Sequence, residues 1–227
     1  MHRYKPTKHT TYYELLDAVR NAPGCPLCNI EATCIRRYFG FLLHESVNDP
    51  GVREELIRSR GYCQRHAHYL RRHGNGFGIA ILYQDQIELF LRSLDELQAS
   101  LAKVRTKRER AWVQTKDCPA CRVQNDCSKL YGSTLIQWID DKEMRDALDV
   151  GSGLCVPHFL ALLDMTTDAR LRTYLIEMQR TRMSSLLQEL EEFQRKHDYR
   201  FREEGFGSEA DSWSRAIKMM VGEQEIL

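Results

Sequence analysis

The feature that most restricts how this chain can fold is a duplicated arrangement of cysteine and histidine. Cys25, Cys28 and Cys34 recur as Cys118, Cys121 and Cys127 at a shift of 93, and Cys63 and His66 recur as Cys155 and His158 at a shift of 92. These positions use all eight cysteines. Each half thus carries Cys-Pro-x-Cys, a third cysteine, then Gly-x-Cys-x-x-His. Two such dyads bring three thiols and one imidazole together, the donor set of a tetrahedral zinc site. Read serially, Cys25, Cys28, Cys63 and His66 form one set and Cys118, Cys121, Cys155 and His158 the other, for two zinc ions per chain.

The repeat extends beyond the ligands. At a shift of 93 Tyr38 matches Tyr131, and at 92 Gly40, Leu43, Asp49, Arg53, Leu56 and Gly61 match Gly132, Leu135, Asp141, Arg145, Leu148 and Gly153. One single-residue gap reconciles the registers. Both halves read as helical. From Leu27 to about Val47 the apolar positions Ile30, Cys34, Tyr38, Phe41 and Leu42 fall three or four apart, and Asn48-Asp49-Pro50 ends that helix and caps the next. Gly61 and Gly153 act as stops, with new helices from Cys63 and Cys155. Long amphipathic helices follow: about Phe77 to Arg110, carrying Leu91, Leu94, Leu97, Leu101 and Val104, and about Asp168 to His197, carrying Leu175, Met178 and Leu186. Strand signals are scarce. The expected fold is all-α: two tandem helical repeats, 1–112 and 113–198, each built around its own Cys/His knuckle, then a C-terminal arm, 199–227, with a short helix from about Asp211 to Val221.

Composition narrows the function classes. Lys plus Arg number 33 against 32 Asp plus Glu, a net charge of +1, so no global field attracts nucleic acid or an anionic membrane. No apolar run reaches the length of a membrane span, and the basic start runs into Tyr12, Tyr13, Glu14 and Asp17 without the apolar core of a signal peptide. A cytoplasmic protein is expected. The cysteine fraction lies below the ~8–10% of disulfide scaffolds, and the dyad spacing suits one metal better than a bridge.

Pro26 and Pro119 follow the first cysteine of each half, which places both Cys-Pro-x-Cys turns at helix N-termini, where the helix dipole favours thiolate. Cys63 with His66, and Cys155 with His158, share a helix face at i, i+3. His68 points elsewhere, to solvent or behind the ligands. Cys34 and Cys127 are ambiguous: on an unbroken helix Cys34 turns ~240° from Cys28, into the core as a buried free thiol. If the helix starts late, each half gains a fourth thiolate, and an iron–sulfur cluster becomes the alternative cofactor.

The basic run Lys103, Arg105, Lys107, Arg108 and Arg110 reads as the solvated end of a long helix rather than a phosphate-binding surface, and His44-Glu45 as a surface pair. The tail residues Arg200, Glu204, Glu209, Trp213 and Arg215 are either a docked arm or a polar binding site between the halves. No phosphate loop, zincin helix or nucleophile elbow is present.

Cys25-Pro26-Leu27-Cys28, Val47-Asn48-Asp49-Pro50, Gly61-Tyr62-Cys63 through His66, Cys118-Pro119-Ala120-Cys121, Gly153-Leu154-Cys155 through His158 and Asp211-x-Trp213-x-Arg215-Ala216 together resemble a prokaryotic family known only as a domain of unknown function. That resemblance spans nearly the whole chain. It implies a prokaryotic cytoplasmic protein with paired Cys/His sites, and nothing about substrate. The leading expectation is a non-enzymatic zinc protein that binds a protein partner. An iron–sulfur or redox enzyme and a nucleic-acid-binding knuckle protein are the alternatives.

Overall fold

The computed structural model describes residues 7–99 and 117–223, and every regular element among them is helical. In order these are α1 (Thr10–Asn21), α2 (Pro26–Phe41) with a π-turn (Leu42–Ser46), α3 (Pro50–Ser59), α4 (Gln64–Arg71), α5 (Gly76–Ala99), α6 (Pro119–Trp138), α7 (Lys142–Val150), α8 (Val156–Met165) and α9 (Ala169–Lys196). Two 3₁₀ segments, Tyr199–Glu204 and Ser208–Asp211, lead into α10 (Ser212–Val221). None of the described helices is long and apolar enough to cross a membrane. The basic run from Lys103 to Arg110, with Leu101 and Val104, lies outside the described residues.

Equivalent positions of the two halves play the same local parts. Pro26 and Pro119 open α2 and α6, where the missing amide hydrogen costs no hydrogen bond. Asp49 accepts from the Val52 amide at 3.0 Å and Asp141 from that of Met144 at 3.4 Å, so each caps the next helix. Gly61 and Gly153 hold φ values of +86° and +85°, a backbone turn that a side chain would strain. Cys63 and Cys155 then stand as N-caps of α4 and α8.

The described residues divide into two compact units, 7–31 with 128–223, and 32–99 with 117–127. This is not the serial partition at 112 and 198 read from the repeat. The division falls within α2 and within α6, so each of these helices gives its first turns to one unit and its remainder to the other.

In the first unit α1 packs on α7, burying Tyr12, Leu15, Leu16 and Val19 along with Met144, Ala147 and Leu148. The Tyr12 hydroxyl donates to Asp141 at 2.6 Å and Lys8 pairs with the same carboxylate at 3.0 Å, tying the α7 cap to α1. Helices α8, α9 and α10 pack together around Leu162, Leu175, Met178 and Leu186. In the second unit Ile35, Phe39, Leu42, Leu43, Leu56, Tyr62, Tyr69, Leu70 and Leu82 form a continuous apolar core. Arg53 grips Asp85 through two hydrogen bonds of 2.6 and 2.7 Å, pinning α3 to α5.

Candidate metal centres

Each unit gathers one set of four donors. In the first, Cys25 and Cys28 meet Cys155 and His158; in the second, Cys118 and Cys121 meet Cys63 and His66. The composition of three cysteines and one histidine is the expected one, but the partnering corrects the serial reading. The Cys-Pro-x-Cys of one half meets the Cys-x-x-His of the other. The physical reason is that the two halves carry interchangeable dyads, so either partnering satisfies the same donor set, and the choice rests on how the helices pack.

All four first cysteines of the dyads are helix N-caps. The carbonyls of Cys25, Cys63, Cys118 and Cys155 accept from the amides of Asn29, Ala67, Arg122 and Phe159 at 2.9–3.2 Å. Two helix N-termini therefore converge on each centre, α2 with α8 and α4 with α6. Their positive ends favour the thiolate form and offset the excess negative charge of three thiolates around one divalent ion.

Within each set all donor atoms lie within 4.8 Å of one another. In the first centre His158 Nδ1 stands 3.5, 3.3 and 3.1 Å from the sulfurs of Cys25, Cys28 and Cys155, and Cys28 Sγ is 3.6 Å from Cys155 Sγ. In the second, His66 Nδ1 stands 3.3, 3.6 and 3.3 Å from Cys63, Cys118 and Cys121, with Cys63 and Cys121 sulfurs 3.7 Å apart. The edges of a zinc tetrahedron, from bonds of ~2.3 Å to sulfur and ~2.0–2.1 Å to nitrogen, are about 3.8 Å between sulfurs and about 3.5 Å from sulfur to nitrogen. Both sets can hold a metal ion.

Behind the ligands the centres differ. His158 Nε2–H donates to Glu31 Oε1 at 2.8 Å, and both side chains are buried. The Glu223 amide donates to Cys28 Sγ at 3.5 Å, and Gly222, at φ +91°, brings the chain against the Cys28 and Cys155 sulfurs. In the second centre the position matching Glu31 at the 93-residue shift is Gln124. The Gln124 oxygen accepts from Arg65 at 2.6 Å, and His66 Nε2 is buried with no hydrogen-bond partner among the described residues. All four ligands of the first centre are buried, whereas Cys63 and Cys121 are half-exposed.

Electrostatics follow the same division. Burial pulls the His158 imidazole down, but hydrogen bonds to Cys155, Cys25 and Glu31 prevail and raise it to about 12. The hydrogen bonds of Cys155 and Cys28 hold Cys25 well below the ordinary thiol range. In the second centre burial, with the Arg65 charge, lowers His66 to about 4 against the opposing Gln124 side chain, and burial raises Cys121 to about 12.

Cys34 and Cys127 are neither ligands nor free buried thiols: they are joined in a disulfide, with Cα atoms 6.7 Å apart. Helix periodicity does turn both away from the metal set, and turns them toward each other. His68 is exposed, as is the His44-Glu45 pair.

The tail residues form a clamp rather than one site. Arg200 pairs with Asp198, Glu204 with Arg195, and Glu209, only 5 % exposed, with Lys196 at 2.8 Å and the Gly207 amide at 2.8 Å. Trp213 is 55 % exposed. Arg215 pairs with Asp211 and Glu189, and of the five it alone lines a cavity of about 360 Å³ in the first unit, together with Leu154, Arg182, Leu186 and Lys218. Sequence reasoning missed Glu31, Gln124, Gly222 and Glu223. For the first two a signal exists: each lies one helical turn past the second cysteine of its Cys-Pro-x-Cys, on the ligand face.

Comparison with known proteins adds kinship without a chemistry. The chain is 23 % identical over 202 residues, 88 % of its own length and 96 % of the relative's, to a protein of Caldicellulosiruptor sp. (strain Rt8B.4) described as "Uncharacterized 23.9 kDa protein in xynA 3'region". No solved structure matches. The family described as "Family of unknown function (DUF6062)" matches residues 8–226, and the chain belongs to that family.

Proposed function

We propose that this is a cytoplasmic zinc protein in which two Cys₃His centres hold the helices in place and the helical surface serves as a binding module for a protein partner. The observation that carries the reading is that each centre supplies four protein donors at single-ion spacing. Four protein ligands close a zinc tetrahedron, leaving no position for a catalytic water, which is the pattern of structural rather than hydrolytic sites.

The same spacing weighs against the iron–sulfur alternative, since a multi-iron core would push its ligands further apart and Cys34 and Cys127 are committed to each other. A polar site shared by Arg200, Glu204, Glu209, Trp213 and Arg215 has little support, because four of the five stand away from the cavity. Nucleic acid binding rests on the analogy to zinc knuckles and on the basic run from Lys103 to Arg110, against a net charge of +1. The test is elemental analysis with an ultraviolet–visible spectrum on anaerobically purified protein. Two zinc per chain and no visible absorption support the proposal; iron with labile sulfide and a brown colour overturn it.

A further inference from the structure

The two centres are duplicates in their ligands but not in what stands behind the histidine, and that difference points to different work. A carboxylate hydrogen-bonded to the distal nitrogen of a ligating imidazole fixes the ring, selects the tautomer that presents the other nitrogen, and raises ligand basicity. Glu31 does this for His158 at 2.8 Å. Its repeat counterpart Gln124 is a neutral amide whose oxygen accepts from Arg65, so His66 has no carboxylate behind it among the described residues. Exposure follows the same order: the ligands of the first centre are all buried, while Cys63 and Cys121 are open in part to solvent. The Glu223 amide and Gly222 also close over the sulfurs of the first centre. Exchange of a thiolate-bound ion proceeds by an incoming ligand attacking the metal as a protein thiolate departs. Only the second centre offers partly exposed thiolates for that exchange.

We propose that the first centre is a permanent structural site, and that the second, Cys63, His66, Cys118 and Cys121, is an exchangeable site for a soft divalent ion, with Glu31 and Gln124 as the positioning residues that set the two apart. This rests on the metal reading above. No bond other than metal–ligand bonds changes in the exchange, and a departing thiolate is neutralised by one proton from solvent.

The experiment is zinc release from the full-length, zinc-loaded protein into excess chromogenic pyridylazoresorcinol. The expected result is two phases of one equivalent each, separated at least ~10-fold in rate, within the ~10–100-fold range that partners of ligating histidines control. Cys63→Ala should abolish the fast phase alone, Gln124→Glu should slow it, and Glu31→Gln should speed the slow phase. Alkylation with N-ethylmaleimide, mapped by mass on the unaltered protein, should reach Cys63 and Cys121 first, which keeps the test independent of how the variants fold. A single phase of two equivalents, a fast phase that survives Cys63→Ala, or first alkylation at Cys25 or Cys155 overturns the inference while leaving the metal reading intact. Fewer than two zinc bound at the outset overturns the metal reading itself.

Discussion

The two Cys₃His centres have the same ligands at the same local positions, yet one is sealed and the other is partly open. In the first, a buried carboxylate stands behind the histidine and Gly222 and Glu223 lie against the sulfurs. In the second, an amide occupies the carboxylate's place and two of the thiols reach solvent. The repeat keeps all four donors of each set at matching positions. It does not keep the group behind the histidine, which is Glu31 in one half and Gln124 in the other.

The largest expected effect breaks or keeps the partnering itself. Cys155→Ala should remove one metal equivalent and expose Cys25 and Cys28 to alkylation while Cys118 and Cys121 react no faster than in the unaltered protein; Cys63→Ala should do the reverse. Structural zinc in small domains is worth roughly 10–16 kcal/mol apparent, so either variant should be strongly destabilised. Faster alkylation at Cys118 and Cys121 in the Cys155 variant would restore the serial pairing.

Next in size is the disulfide. Cys34→Ala with Cys127→Ala should leave two metal equivalents in place but lower stability by about 2–5 kcal/mol, the usual cost of losing a native bridge. Metal analysis beside denaturant unfolding separates the two readouts. Loss of metal from both centres would return these cysteines to the ligand set.

Smaller still is the contrast between the repeat counterparts. Glu31→Ala leaves the buried His158 Nε2–H unpaired and should cost about 1–3 kcal/mol, whereas Gln124→Ala removes a neutral amide rather than a carboxylate from beside His66 and should cost less. Equal losses in thermal unfolding would dissolve the distinction between the centres.

The smallest effect concerns the described part of the tail, which packs in the first unit. The hydrogen bond from Lys196, with the Gly207 amide, lowers the Glu209 carboxyl from 4.5 to about 2. A carboxyl depressed by folding adds stability that is fully present above its unfolded value and is lost as pH falls through the folded one. The melting temperature of Glu209→Gln should therefore lie below that of the unaltered protein at neutral pH, and the gap should close between pH 4.5 and pH 2. A gap that stays constant over that range would remove Glu209 from the clamp.

Much of the fold was legible because its signals are local. Asp49 and Asp141 cap, Pro26 and Pro119 start helices, and Gly61 and Gly153 turn the chain, all through interactions within a few residues of themselves. Glu31 was legible in principle, one turn beyond Cys28, but a carboxylate there has no meaning until the histidine it meets is known, and that histidine is 127 residues away. The Cys34 to Cys127 bond was hidden for the same reason: periodicity turns each thiol off the ligand face without saying what it faces.

The sequence by itself determined the dyads. Spacing within Cys-Pro-x-Cys and Cys-x-x-His, together with the helix starts, commits each pair of donors to one face and requires that two pairs meet. Only the tertiary structure decided which pairs meet. In a duplicated chain the two partnerings have the same ligands, the same caps and the same helix ends, so no local energy distinguishes them. What distinguishes them is long-range packing. The divisions within α2 and α6 place the first turn of each helix in a different unit from its remainder, and so carry Cys25 and Cys28 to Cys155 and His158, and Cys118 and Cys121 to Cys63 and His66.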